Sequence, residues 1–579
     1  MYRIGIKGEK IIIIECGYDA FIVAEIRKIS GVKWVKEFHH WELIPSVRAI
    51  PQLFLFADKF NFLWDFGVRE MLEGELKTYN NNLGLNSKTL ANIELPGLAL
   101  PLLPFQVAGV QYLSATQRCF LADHPGLGKT CQALATVEHL DAYPAIVVCP
   151  SILKENWRRE AEKFLPSRTA VICDNKNYKD INADFVILNY EMLKKYMPYL
   201  KIMQPKAVIF DEIHICKDKK RIRSVEARKL SEGIGVRLGL TGTPILSRPS
   251  ELISQLYILG QMEQFGNEWQ FLQRYCSAKK EVIGYDKEKK EKKIAWNFSG
   301  VSNAAELNEI LRKTCYIRRT KAEVLPELPE KRYSEIEIEI DNLEEYQAAS
   351  EDIVAYLVEE GHRDKVFLEE TRRMSIIDRC DAKHSKARII ELRTRNAEHL
   401  VRITALKKIA VRGKLASINA WIDDFLLTGE KLVVFAHHRE IVCQLADRKG
   451  AVKVLGGAKE RKCRQEAIDS FQNDAGTNLI VCSMLAGGVG ITLTASSNLA
   501  FTELAWTPAI HEQAEDREHR IGQKEAVNVY YFLGKDTIDE DIYSLLQEKK
   551  KVVDAVVDGK AVSILSGLVE RLKTKGGKP

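Results

Sequence analysis

The 579-residue sequence has no apolar run of about eighteen residues, so no helix of the chain is expected to cross a bilayer. Its isoleucine run, Ile11 to Ile14, gives way at once to Glu15 and Gly17 and is too short for a signal-peptide core. The twelve cysteines include no C-x-x-C pair, and several fall in apolar, strand-like runs, as Cys149 and Cys482 do. That scatter argues against a disulfide framework or a zinc site and for buried thiols in a reducing cytosol. Internal repeats and long low-complexity stretches are missing. A strong charge excess is missing too: 85 Lys and Arg stand against 79 Asp and Glu, a net +6, which is mild for a nucleic-acid binder. The basic residues are nevertheless uneven. Segment 363–412 carries about twice as many as it has acids, and the chain closes on Lys573, Lys575 and Lys578. Such a run reads either as a solvated helix face or as a stripe that follows phosphates.

What is present suits about three or four domains of an ordinary globular protein, at 46% hydrophobic residues. The central stretch is Leu121-Ala-Asp-His-Pro-Gly-Leu-Gly-Lys-Thr130, between an apolar lead-in at Cys119 and a helical pattern from Cys131 to Leu140. Strand, glycine turn and helix start make a cradle for polyphosphate, because backbone N–H groups and the helix N-terminus both face the anion. Gly126 and Gly128 supply the turn, Lys129 reaches the phosphates, and Thr130 holds Mg²⁺ in this pattern. Asp123 stands where the first glycine of G-x-x-x-x-G-K-[ST] belongs.

Beyond the loop, apolar runs at 145–149, 185–188, 207–210 and 237–240 alternate with helical patterns, the mark of a parallel sheet. Polar residues gather at the carboxyl ends of these runs, where open α/β sheets bind ligands. Asp211 is placed to hold the metal that bridges phosphates, and Glu212 to orient and deprotonate a water. Ahead of the loop, the Gln106 amide can both give to and accept from an adenine edge. Residues 1–65 read as a small α+β module: a strand at 10–16, a helix at 18–28, a hairpin through Trp34 and Trp41, and a helix at 46–59. The two tryptophans are expected in its core, with Lys33, Lys36, His39 and His40 around them able to face a nucleic-acid backbone. Residues 66–100 read as a short helix and a linker.

In this order, Gln106, GLGKT, DEIH and LTGTP resemble motifs Q, I, II and III of superfamily-two helicases. Lys431-Leu-Val-Val-Phe-Ala-His-His438, Ala486-Gly-Gly-Val-Gly-Ile-Thr-Leu493 and Gln513-Ala-Glu-Asp-Arg-Glu-His-Arg-Ile-Gly-Gln523 resemble motifs IV, V and VI. The last string, with Ile317-Arg-Arg-Thr-Lys-Ala-Glu-Val-Leu-Pro-Glu-Leu-Pro-Glu-Lys331, resembles Swi/Snf-type ATPases, which are double-strand DNA translocases. Ser247-Arg-Pro-Ser-Glu-Leu252, Trp296-Asn-Phe-Ser-Gly300 and Phe435-Ala-His-His438 are similar to the annealing-helicase (HARP-type) subgroup. Tyr18-Asp-Ala, Gly31-Val-Lys-Trp34 and Trp41-Glu-Leu-Ile-Pro45 are similar to its N-terminal HARP domain. The family usually has Asp-Glu-Met before GLGKT, whereas this chain has Asp123-His124-Pro125, and Pro125 removes one N–H from the turn.

The resemblance implies an α/β fold of two RecA-like parallel-sheet lobes with helical insertions and the small α+β module. Its divisions are 1–65, a HARP-like DNA-binding module; 66–100, a linker; and 101–330, lobe one, with an insertion at about 270–330. Then come 331–425, a helical protrusion and junction; 426–550, lobe two; and 551–579, a helix and tail. ATP and Mg²⁺ are the implied cofactors, with Thr130 and Asp211 on the metal and Gly490 beside the nucleotide. Arg517 and Arg520, three apart on one helical face, become arginine fingers when the second lobe closes, and Gln513 contacts the triphosphate or the other lobe. His214, Thr241 and Thr243 relay nucleotide state. Ser151, Lys154, Asn189 and Thr492 are the implied contacts to the DNA backbone, independent of base sequence.

The expected activity is an ATP-dependent translocase on double-stranded or forked DNA that remodels branches, working as a monomer. Displacement of DNA-bound proteins, or an ATP-switched DNA-binding protein with little turnover, are the alternatives. The stretch from Lys279 to Lys293 holds seven lysines and four acids and reads as an exposed hairpin, touching either DNA or solvent. The lack of long flanking tails places the chain in a bacterial or phage-infected cytoplasm rather than a nucleus.

Overall fold

The computed structural model describes residues 2–14, 19–86, 89–91, 93–174, 181–242, 248–286, 291–298, 300–351, 398–456, 461–484 and 491–557. Two compact units emerge, one built on residues 1–327 and the other on residues 328–550.

The first unit begins with a five-stranded sheet. Its order is Lys33–Val35, His40–Leu43, Lys10–Ile14, Arg3–Lys7 and Leu63–Trp64. Ile11 and Ile13 alternate onto one face and pack with Ile22, Ile26, Ile50 and Leu53 from two helices. Asp19 starts the first of these, Ala20–Ile26, its carboxylate accepting from the amides of Phe21 and Ile22 at 2.8 and 3.2 Å. Trp41 lies in this core as expected. Trp34 does not: it is 42% exposed on the edge strand.

The short helix expected at the start of 66–100 is 19 residues long, Val68–Asn86. Val68 and Leu72 close the core of the N-terminal module. At the other end Asn86 donates to the carbonyl of Tyr316, and Arg312 donates to Asn86 at 3.0 Å. A buried side-chain amide takes part in this far contact, where no apolar period marks the sequence.

A seven-stranded sheet follows, all parallel: Tyr316–Ile317, Arg118–Leu121, Val236–Leu240, Ala207–Asp211, Ala145–Cys149, Phe185–Asn189 and Ala170–Ile172. The four apolar runs read from sequence are its centre, every residue buried. The two short edge strands were not legible, being two and three residues long. The lysine-rich insertion is an antiparallel hairpin, Lys279–Asp286 with Glu291–Asn297.

The second unit holds a six-stranded parallel sheet in the order Lys331–Ile338, Val527–Gly534, Asn498–Phe501, Leu432–Ala436, Leu479–Ser483, Ala451–Val454. The helix Glu398–Leu426 carries Lys414 into it. That fully buried ammonium donates to the carbonyls of Thr502 and Phe532 and to the Asp539 carboxylate, at 2.9, 2.8 and 2.6 Å. The helix Ile538–Val557 follows the strand Val527–Gly534. Most of the basic segment 363–412 and the last residues of the chain lie outside the described residues.

Candidate nucleotide-binding site

The phosphate loop leaves the strand Arg118–Leu121 and enters the helix Lys129–His139. Gly126 and Gly128 have φ of +87° and +76°, the left-handed region that a side chain resists. Gly128 has a second constraint, since a Cβ there would lie 2.4 Å from the Gln106 amide nitrogen. Gln106 itself is buried. Its oxygen accepts from the Leu103 amide at 2.9 Å and its nitrogen donates to the Leu127 carbonyl at 3.1 Å. Gln106, expected to read adenine, braces the loop through one bond at each amide atom; a side-chain amide carries a second N–H and a second acceptor lone pair besides. Lys129 donates to the Asp123 carbonyl at 2.9 Å, and Thr130 sits in the first helical turn.

Asp123 is no damaged glycine position. It is wholly buried, and its carboxylate accepts from the backbone and side chain of Arg319, each at 3.0 Å, and from Gln132 at 3.1 Å. The neighbouring arginine, Arg318, donates to the carbonyls of Ala122 and Gly242 at 3.1 and 2.9 Å and lies 3.1 Å from His124 Nε2. Pro125 packs on Gly242, where a Cβ would meet the proline ring at 2.7 Å. His124 and Pro125, which departed from the family pattern, thus key the loop to the arginine pair and to the end of the strand Val236–Leu240. Arg318 and Arg319 were missed as site residues. An acid standing in a glycine position was the available signal that a cation had to come from elsewhere in the chain.

Asp211 ends the central strand. Its carboxylate accepts from Trp157 Nε1 at 2.8 Å and from the Glu212 amide at 3.0 Å. Burial first, and then the charge of Glu212, push the Asp211 carboxyl above its ordinary range. Two acids so close, one enclosed, make a setting that a divalent cation would relieve. Glu212 turns out at φ +51°. His214 Nδ1 lies 3.1 Å from Glu212 Oε2 and 3.1 Å from Thr241 Oγ1. Thr241 in turn donates its amide to the Leu121 carbonyl at 3.2 Å, at the root of the phosphate loop. His214 thus stands between Glu212 and Thr241, and hydrogen bonds run from His214 through Thr241 to the loop strand. Thr243 and Gly490 lie outside the described residues.

Two expected DNA contacts point inward. Lys154 is buried and donates to the Cys173 carbonyl at 2.9 Å; Asn189 is buried and donates to Glu191 at 2.6 Å. Both side chains are thus held by local partners. Ser151 stays half-buried at the head of a short turn, and Thr492 is exposed.

In the second unit the helix Pro508–Glu515 ends before the two arginines. Arg517 and Arg520 lie in turns beyond it, not on one helical face. The chain bends there because Glu515 and Asp516 are held by Lys331 at 2.8 and 2.9 Å. Arg517 donates Nε to the Gln513 carbonyl at 2.9 Å, and its own carbonyl accepts from the Leu493 amide at 2.9 Å. Arg520 donates to Thr492 Oγ1 at 2.7 Å. Four residues named from sequence, Gln513, Arg517, Arg520 and Thr492, are thereby joined in one network.

A glycine loop with a following acid pair on one parallel sheet, and a second parallel sheet in the same chain, define a two-lobed nucleotide-binding α/β protein. The chain belongs to the SNF2-related family: the model of the SNF2-related domain matches residues 28–386, and that of the helicase conserved C-terminal domain matches residues 413–522. It is 30% identical over 473 residues to a Caenorhabditis elegans protein named SWI/SNF-related matrix-associated actin-dependent regulator of chromatin subfamily A-like protein 1 homolog, covering 80% of this chain and 62% of that one. The Xenopus laevis protein of the same subfamily name is 30% identical, covering 93% of this chain and 53% of its own length. A Homo sapiens protein named DNA annealing helicase and endonuclease ZRANB3 is 30% identical, covering 81% and 41%. The chain thus spans between about two-fifths and three-fifths of these relatives. They bear out the resemblance to the annealing-helicase subgroup. They overturn the bacterial or phage cytoplasm expected from the flanks, since all three are animal proteins and two are named for chromatin, a nuclear setting. Among solved structures, a Sulfolobus solfataricus SWI2/SNF2 ATPase core in complex with dsDNA is 23% identical with a TM-score of 0.38, covering 81% of this chain and 96% of that one.

Proposed function

We propose that the chain is an ATP-driven translocase on double-stranded DNA that remodels branched DNA. The observation that carries this reading is the series from Glu212 through His214 and Thr241 to the phosphate-loop strand. It ties the group that would handle the attacking water to the loop that would hold the phosphates. In this mechanism loop amides and Lys129 bind the β- and γ-phosphates of ATP, and Glu212 takes a proton from the water that attacks the γ-phosphorus in line as ADP leaves. Mg²⁺, held by Thr130 and Asp211, would neutralise phosphate charge. Arg517 and Arg520 serve as arginine fingers, a contribution on the order of 10³–10⁵ in rate. Release of the γ-phosphate changes what Glu212 faces, and His214 and Thr241 pass the change along the sheet. Ser151 and Thr492 contact the DNA backbone, which makes binding salt-dependent and blind to sequence. The named activity of the annealing-helicase relative supports branched DNA as the substrate. An acid positioned for water attack speaks for turnover over an ATP-bound switch.

The test is steady-state ATP hydrolysis on single-stranded, duplex and forked DNA. Duplex and forked DNA are expected to stimulate it, and Lys129→Ala or Glu212→Gln to abolish it. Stimulation by RNA alone, or none by DNA, would sink the reading.

A further inference from the structure

Half-exposed tryptophans leave large apolar faces against water, and a cluster of them marks a surface that something covers. Two such residues meet in the first unit. Trp269, 42% exposed, lies on the helix Glu268–Tyr275; Trp296, 39% exposed, lies on the second strand of the lysine-rich hairpin. Their ring centroids are 5.1 Å apart, nearly edge-on. Phe298 joins them at 5.8 Å from Trp269 and 6.2 Å from Trp296, its plane within 12° of the Trp296 plane. Two positions apart along the chain, Trp296 and Phe298 share a face. On the facing strand Lys280 pairs in register with Trp296, and its ammonium stands 5.3 Å over that ring.

The aromatic group stands on a fixed base. Ser277 donates to the Val301 carbonyl at 2.9 Å, and Ser302 donates to the Arg274 carbonyl at 2.6 Å, so both ends of the hairpin are stapled to the helix that carries Trp269. Glu306 holds that helix through Arg274 and Tyr275, and Arg48 of the N-terminal module reaches the same carboxylate at 3.4 Å. The hairpin root and the module therefore share one anchor.

Exposed aromatic rings beside ammonium groups match one chemistry: unpaired nucleic-acid bases on a phosphate backbone. Within a duplex the base faces are stacked away and only edges show. Such a platform finds its ligand only where pairs have opened. The seven lysines between 279 and 293, against four acids, favour a polyanion over an apolar protein face. We propose that Trp269, Trp296 and Phe298 form a stacking platform for the unpaired bases at a DNA branch, with Lys279 and Lys280 on the adjoining phosphates. The choice of DNA rests on the translocase reading above.

The experiment uses the full chain and measures its affinity by fluorescence anisotropy for a fork and for a linear duplex of equal length, alongside duplex-stimulated ATP hydrolysis. Trp296→Ala and Trp269→Ala are each expected to lower the fork-to-duplex affinity ratio by about tenfold, the usual scale of one lost base stack. Trp296→Phe should keep most of the ratio, and duplex-stimulated hydrolysis should stay as in the unaltered chain, which shows that the fold survives. An unchanged ratio in both alanine variants, or an equal loss on fork and duplex, overturns the proposal; the first result would leave the surface to a protein partner. A chain that ignores DNA in the hydrolysis assay would strike the translocase reading instead, while the affinity ratio would still decide the platform.

Discussion

Asp123 shows how one residue sets the character of the phosphate loop. Buried with Arg319, it replaces a glycine's freedom with an ion pair that fixes the loop from below. Restoring the standard glycine should therefore harm the protein. Asp123→Gly leaves Arg319 enclosed without its partner, and breaking such a pair costs about 3–5 kcal/mol. Chemical denaturation should show the loss, and Asp123→Gly with Arg319→Met should recover part of it. An unchanged denaturation midpoint for the single variant would refute the bracing role. A second residue-scale prediction concerns His511. Burial lowers its pKa from the ordinary 6.5 to about 4, and its Nε2 accepts from the Ala505 amide at 2.9 Å. The unfolded chain takes up this proton below about pH 6.5, while the folded chain resists until about pH 4. Stability is thus full above the unfolded value and falls as the pH drops through that window, by about 2 kcal/mol between pH 7 and 5. Denaturation at the two pH values should show the fall, and His511→Gln should flatten it.

Among the elements, the helix Glu398–Leu426 depends on a lysine where a hydrophobic residue would be usual. Lys414→Ala strands the Asp539 carboxylate and two carbonyls, and should cost about 3–5 kcal/mol in a denaturant titration. Lys453→Ala, at an exposed position, should fall within about 0.5 kcal/mol of the unaltered chain. Equal effects of the two would refute the buried role. The same contrast governs what could be read in advance. Strands such as Ala145–Cys149 and Ala207–Asp211 were legible because burial on both faces writes a continuous apolar run. Asp211, Glu212, Lys129, Arg517 and Arg520 stood out as candidates because the chemistry proposed for them calls for those residue types in that order. Lys414 and Arg319 did not stand out, since a buried polar residue held by partners distant in sequence carries no local period. The helix Val68–Asn86 reads as a short one from the sequence, and only the structure gives its 19-residue length.

On the scale of the whole molecule, that helix makes the N-terminal module inseparable from the first lobe. Cutting after residue 65 would remove the partners of Val68 and Leu72 and leave half a core on a helix still bound to Tyr316 and Arg312. A chain lacking residues 1–65 is expected to show a lower thermal midpoint, and limited proteolysis of the full chain should not release the module as a fragment. Recovery of a soluble, equally stable remainder would show the module to be a mere appendage. The pairing of Asp123 with Arg319 also has a consequence in time. The two are separated by 196 positions, and the edge strand Tyr316–Ile317 covers the strand from which the loop springs. A ribosome adding roughly 5–20 residues per second needs about 10–40 s to bridge that interval. Through it, the edge of the loop strand is an open template for wrong pairing and the loop has no cation beneath it. The phosphate loop is made long before Arg319, so the nucleotide site is among the last parts of its lobe to be finished.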